Sequence, residues 1–463
     1  MKHWQPTALA QAAALALGVV LSGGAAAQSS SDVLKELQAL KARVAELEDK
    51  LKAADAGKPA GAQWGMTPEQ LGEFNRVAVK TEAMEDARDA AGLKLFKISG
   101  YMDPTYVYNR NQGRGGVQFL NKVEDDGYNY DNSYFGSVSL DFQKETDSGT
   151  KWRLTLVPNR GVGTVFNGNS VVHEASVSVP LGDLQTRFIA GQIPDWSGYE
   201  YLQPTLNKLT THNLLFDFTL PTAYTGAGME ITRGKWIVKG LVGNMNSAMK
   251  PASHTSPMLA YRVDYSRGEY QGFGFAGVHG KTANFRADET DAIGDPVYPD
   301  DIGKETSTHL FEFDAYFVRG DVTWQGQLSA GMQKKAAVTA DANGLRTARW
   351  AGASTLFAYK FDPRFEGIVR LDYIANKKNG GGLLGYTSAD GRNGIGPDVN
   401  GDLEAGANRT ALTIGASYLF NLNTTFKAEY RIDRASQAVF ENVSDGTFKK
   451  NNQLVATSVV VSF

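Results

Sequence analysis

The sequence predicts an all-β protein, a 16-stranded antiparallel transmembrane β-barrel preceded by a short α-helical coiled coil. Three observations carry that expectation. From Leu95 onward, apolar and polar residues alternate with a period of two, in runs of about ten residues, the length of a tilted strand that crosses the apolar layer of a membrane. The gaps between these runs are alternately short and long. The chain also ends inside such a run, QLVATSVVVSF, with Val455, Thr457, Val459, Val461 and Phe463 on one face. In water that edge would invite aggregation; in a closed barrel it meets lipid.

Composition agrees. The 463 residues include no cysteine, which excludes disulfides and Cys-based metal sites. The balance of 47 basic and 50 acidic residues argues against nucleic acid as a partner. A mean hydropathy of −0.31 looks soluble, but alternating strands average out, so it does not exclude a membrane barrel.

Residues 1–27 read as a signal peptide. Lys2 gives a positive start, Ala8 to Leu21 an apolar core, and Ala25 to Ala27 a small-residue cleavage site. No later run of 18 apolar residues follows, so no transmembrane helix is expected. Residues 28–56 read as a periplasmic coiled coil. Val33, Leu37, Leu40, Val44, Leu47 and Leu51 are spaced alternately by four and three, a heptad seam. Three heptads are marginal alone, which points to an oligomer; a helix packed on its own barrel is the alternative.

Residues 57–93 read as a linker and a helical segment. Thr67, Pro68 and Gln70 form a capping signature that starts a helix running to about Ala91. Whether that helix enters the barrel is open at this level.

Residues 94–463 read as the barrel. Seven short gaps, such as Leu181–Asp183 and Phe361–Pro363, alternate with eight long ones, from Arg110–Tyr130 through Ile193–Thr219 and Lys281–Ser307 to Ala435–Lys450. Fifteen connections require sixteen strands. An even count places both ends of the barrel on the short-turn side, and a barrel of this size encloses an aqueous channel.

Alternation also sorts side chains. Trp152 and Leu154 point to lipid, so Lys151 and Arg153 point inward. Val369 and Leu371 point out, so Arg370 and Asp372 point in. Phe426 and Tyr430 point out, so Lys427, Glu429 and Arg431 point in. Glu312 and Asp314 fall inside by the same rule, as does Arg187. A charge facing lipid at mid-depth costs roughly 2–4 kcal/mol, so this sorting supports a polar interior. Tyr265, Phe361, Phe420 and Phe463 lie near short turns, where an aromatic girdle is expected.

Several motifs are set aside. GGGLLG and GFGFAG fit G-x-G-x-x-G, but neither joins a strand to a helix. DVNGDLE lacks the glycine and glutamate that a calcium loop requires. The acidic stretch Asp288, Glu289, Asp291, Asp295, Asp300 and Asp301 reads as a solvated loop, with divalent-cation binding as the alternative. No nucleophile and base can be paired, so no enzyme, cofactor or metal site is expected.

These features resemble a bacterial outer-membrane porin along the whole chain. The heptads ahead of the barrel are similar to those of DcaP-like and phosphate-selective porins, and RVAELE (Arg43–Glu48) resembles a short trimeric coiled-coil motif. The resemblance implies a homotrimer in the outer membrane, in contact with lipid and lipopolysaccharide, with its N-terminal segment in the periplasm. It implies that barrel-assembly machinery reads Phe463. It implies passive diffusion of small hydrophilic solutes, anionic ones included. It also implies that the third long gap, which follows strand 5, folds inward and brings Asp195, Glu200 and Asp217 to a constriction with Lys151, Arg153 and Arg187. The bland alternative pairs Glu174 with these bases. A structural barrel whose coiled coil contacts the cell wall or a periplasmic partner is the second functional reading.

Overall fold

The computed structural model describes residues 42, 67–90, 92–119, 135–157, 171–247, 250, 254–284, 286, 303–341, 344–377, 381–384, 390–397, 400–401 and 405–463. The chain divides into two units, Met1–Lys94 and Leu95–Phe463. The signal peptide and the seam residues Val33, Leu37, Leu40, Val44, Leu47 and Leu51 lie outside the described residues.

In the first unit, α1 spans Pro68–Ala90. Its start is the reciprocal cap that the sequence encodes. The Gln70 amide N–H donates to Thr67 Oγ1 at 3.2 Å, and the Thr67 N–H donates to Gln70 Oε1 at 3.0 Å.

Among the described residues the second unit holds one closed antiparallel sheet of eighteen hydrogen-bonded segments, beside two small two-stranded sheets in the connections. Two spans are each interrupted once, so the barrel has sixteen strands. They are β1 (Phe96–Met102 with Thr105–Asn109), β2 (Arg114–Gln118 with Val138–Glu145), β3 (Lys151–Leu156), β4 (Val172–Leu181), β5 (Asp183–Pro194), β6 (Ala223–Arg233), β7 (Trp236–Met245), β8 (Met258–Ser266), β9 (Gln271–Ala283) and β10 (Glu305–Arg319). They continue as β11 (Val322–Gln333), β12 (Ala348–Lys360), β13 (Phe365–Ala375), β14 (Arg409–Asn421), β15 (Thr424–Ala435) and β16 (Asn451–Ser462). Pro104, which has no N–H to donate, sits at the break in β1.

Closure joins β16 to β1. Both halves of β1 pair with β16, and Phe463 and Gly100 exchange N–H···O bonds of 3.1 Å in each direction. The Phe463 ring lies where a Cβ on Gly100 would stand, 2.5 Å away, so a side chain at position 100 would push on the closing residue.

Short turns gather at the end that holds Phe96 and Ser462. The tightest, at Leu181–Asp183, has one residue between strands, Gly182, with φ 81°, a backbone that favours glycine. Long connections gather at the other end, with one departure from expectation. The first gap, Arg110–Tyr130, is not a long rim loop. Residues 110–113 make a tight turn, and the additional chain enters halfway down β2, between Gln118 and Val138. The two edges of that insertion adjoin: a Cβ on Gly136 would lie 2.2 Å from the Gln118 carbonyl. Phe135 packs on Val107, Leu454 and Ala456 of the inner wall.

The outer wall is apolar, with Phe311, Leu328, Phe357, Leu371, Ile414 and Tyr430 among its exposed side chains. Aromatic rings cluster toward the short turns, including Trp236 with Tyr265, 4.8 Å between centroids, and Phe361 with Phe365, 5.7 Å. The largest apolar core lies inside the barrel. There α2 (Leu214–Thr219) packs Leu214, Leu215 and Phe218 among inward residues of β6–β14 such as Leu241, Leu310 and Ile374.

Candidate constriction of the barrel lumen

The connection between β5 and β6, residues 195–222, turns into the lumen. Its sequence explains why: Tyr199, Leu209, Leu214, Leu215 and Phe218 would be exposed if it projected into water, and all are buried here. Asn213 starts α2 by accepting bonds from the Leu215 and Phe216 N–H groups at 2.9 and 2.8 Å.

The entry to the connection is tied to the wall it leaves. Tyr224 on β6 donates to Asp195 Oδ1 at 2.5 Å, and Ser197 donates to the same carboxylate from both its N–H and its hydroxyl at 3.0 Å. The chain then crosses to β11–β15. There the Arg370 guanidinium donates to Glu200 Oε1 at 2.9 Å and to the Thr211 and His212 carbonyls at 2.6 and 2.7 Å. Arg431 donates to the His212 carbonyl at 2.8 Å and holds both oxygens of Asp433 at 3.0 Å. Lys427 reaches the Pro204 and Asn207 carbonyls at 2.5 and 2.6 Å. Glu429 accepts from the Thr210 and Thr211 N–H groups at 2.7 and 3.1 Å. Main-chain groups left without partners when the connection abandons regular structure are thus satisfied by charged wall side chains.

Burial sets the ionisation of the connection's own groups. The Glu200 carboxyl is pushed up by burial, against the pull of Arg370. Burial pushes His212 down to about 3 and Asp217 up to about 8. These two lie 3.9 Å apart, and Asp217 Oδ2 has no hydrogen-bond partner among the described residues. At neutral pH the pair is therefore an uncharged imidazole beside a protonated acid.

The residues singled out by sequence fall into two groups. Asp195, Glu200, Asp217, Arg370, Lys427 and Arg431 gather at the inserted connection. Glu312 and Asp314 flank it on β10. Gln327 donates to Glu312, and Arg262 holds Asp314 with bonds of 2.7 and 3.0 Å. The remaining three stand elsewhere. Lys151 lies beside a short turn, 3.6 Å from Glu145. Arg187 is also at the short-turn end, donating to the Gly149 and Ser178 carbonyls at 2.7 and 2.9 Å. Arg153 lies between Asp141, 2.8 Å, and Glu174, 3.4 Å.

Sequence reasoning missed Arg262, which also binds Asp264 at 2.7 Å and occupies the space that the missing side chain of Gly274 leaves. The alternation of YRVDYS on β8 carried the signal, because it puts Arg262 and Asp264 on one face. It missed Lys208 as well, 2.6 Å from Glu366, and no periodicity in an irregular connection marks such a residue.

Further ion pairs line the lumen, with Lys208 contributed by the connection itself. Arg153 and Arg262 each have two carboxylates, while Lys208 and Lys239 have one apiece, Glu366 and Glu230. Toward the short turns a cavity of about 350 Å³ opens between the connection and the wall, lined by Lys208, Glu366, Ser417, Asn423 and Lys427 among others.

Solved structures share this architecture. In-vitro folded OmpT, an outer membrane protein of Vibrio cholerae in its trimer form, superposes with a TM-score of 0.51 at 11% identity, over 80% of this chain and 99% of that one. An anion-selective porin from Comamonas acidovorans gives 0.50 at 9% identity, over 80% and 99%. The outer membrane channel DcaP of Acinetobacter baumannii gives 0.48 at 10%, over 80% and 97%. At such identities the likeness is one of fold. No curated protein matches the chain. Residues 69–463 match the family model described as "Protein of unknown function (DUF3138)", and the chain belongs to that family.

Proposed function

We propose that this protein is a porin of the bacterial outer membrane, a channel for passive diffusion of small hydrophilic solutes rather than an enzyme. The observation that carries the reading is the connection 195–222, held across the lumen by Arg370, Lys427 and Arg431. A water-filled barrel narrowed by an internal segment selects by size and by the charge of its wall.

The partly exposed charges of that wall are mainly basic, which suits anionic solutes. The three bases beneath the connection are buried and bonded to its carbonyls and carboxylates, so they face little open water. In the other ion pairs the bases Arg153, Lys208, Lys239 and Arg262 keep partial exposure, whereas of their six carboxylates only Glu230 and Asp264 do and Asp141, Glu174, Asp314 and Glu366 are buried. This reading keeps the anionic solutes that the resemblance suggested. The finer assembly is part of the proposal: a homotrimer joined in the periplasm by the seam at Val33 to Leu51, a wall embedded in lipid and lipopolysaccharide, and Phe463 as the residue that assembly machinery reads.

The buried cluster inside the barrel favours one rival, a plugged barrel with a structural role. Planar-bilayer recording separates the two. The porin reading expects discrete conductance steps and a reversal potential in a salt gradient that favours anions. A silent, folded barrel would sink it.

A further inference from the structure

On the outer wall, two histidines stand directly opposite one another in adjacent strands. His279 of β9 pairs in register with His309 of β10, and their Nδ1 atoms are 3.1 Å apart. Both face outward. Their neighbours along each strand, Val278 and Leu310, are fully buried on the lumen side, whereas Phe311 beside them is 56% exposed. Going up the outward face of β10, Phe317, Phe313 and Phe311 give way to His309, Ser307 and Glu305, so the pair lies where the apolar band ends toward the long connections. Met332 of β11 is the register partner of His309 on its other side.

The separation fits a chelated ion. Metal–nitrogen bonds of about 2.0–2.1 Å bring two coordinated nitrogens about 2.9 to 3.4 Å apart as the angle at the metal opens from square to tetrahedral. Holding an anion such as a lipid phosphate would instead need both rings charged, and two like charges at this distance repel. A thioether beside two imidazoles suits soft and borderline ions. The antiparallel register sets the two backbones opposite one another in advance, so only the side chains remain to be ordered on binding.

We propose that His279 and His309, with Met332 beside them, form a transition-metal site on the outer wall, taking Zn2+ or a soft monovalent ion of the Cu+ type. The site is independent of transport through the lumen. Isothermal titration of the full chain in detergent with Zn2+ alone tests it. One equivalent should bind, and His279→Ala and His309→Ala should each abolish uptake while the unheated protein still migrates as a folded barrel on a gel. Absence of saturable uptake by the wild type, or equal uptake by the folded double variant, overturns the site. Ag+ in chloride-free buffer tests the thioether. Met332→Leu should weaken Ag+ binding at least tenfold and leave Zn2+ uptake in place; unchanged Ag+ binding removes Met332 from the site.

Discussion

Arg370 and Glu200 meet at 2.9 Å although 170 residues separate them. One lies on the wall at β13, the other on the connection that crosses the lumen, and both are buried. The pair fastens the inserted segment to the far wall, so its loss should be felt both as stability and as conductance.

Replacing Arg370 with Ala leaves Glu200 buried without its partner, a change that costs about 3–5 kcal/mol in comparable pairs. The carbonyls of Thr211 and His212 lose a donor as well. The expected outcome is a looser connection, a lower melting temperature and a larger or noisier single-channel conductance. Arg187→Ala is the control, because its guanidinium serves carbonyls at the short-turn end; it should leave conductance unchanged.

Selectivity should follow the accessible pairs. Arg153→Ala removes a base held between Asp141 and Glu174 and should move the reversal potential toward cations. Asp264→Asn removes a partly exposed carboxylate and should move it the other way. Both shifts should shrink as salt rises from 0.1 to 1 M, where the Debye length falls from about 10 to 3 Å. Shifts of equal size at both salt concentrations would place these charges away from the permeation path.

The pair His212 and Asp217 predicts a pH dependence of opposite signs. Asp217 is raised by burial to about 8, so its contribution to stability is present at low pH and is lost as pH rises from about 4 through 8. His212 is lowered to about 3, so its contribution is present above about 6.5 and is lost as pH falls toward 3. The two oppose each other in mild acid. Between about pH 6.5 and 8 only Asp217 acts, and the melting temperature should fall across that window. Asp217→Asn should flatten the fall and expose a loss of stability on acidification. A variant with the wild-type slope above pH 6.5 would remove Asp217 from the account.

The proposed seam can be tested apart from the barrel. Leu40→Asp with Leu47→Asp places charges in the middle of a packed heptad core, which is strongly unfavourable. The oligomer should dissociate at lower temperature on a gel while each barrel stays folded. An unchanged oligomer transition would take assembly away from the coiled coil.

Strand number, inward and outward faces and the cap of α1 are legible in the sequence. Each depends on residues near in the chain: a period of two for Arg370 between Val369 and Leu371, and three residues from Thr67 to Gln70. The insertion within β2 was not legible, because a break halfway down a strand and a loop at the rim have the same local signature, a polar stretch between alternating runs. The partners of the inward charges were not legible either. Alternation places Arg153, Arg187 and Arg370 on the inner wall alike, yet the first binds carboxylates, the second carbonyls at the short-turn end, and the third the inserted connection. Periodicity reports which way a side chain points, whereas what it meets depends on closing the barrel and folding a long connection through it, and those distances exist only in the tertiary structure.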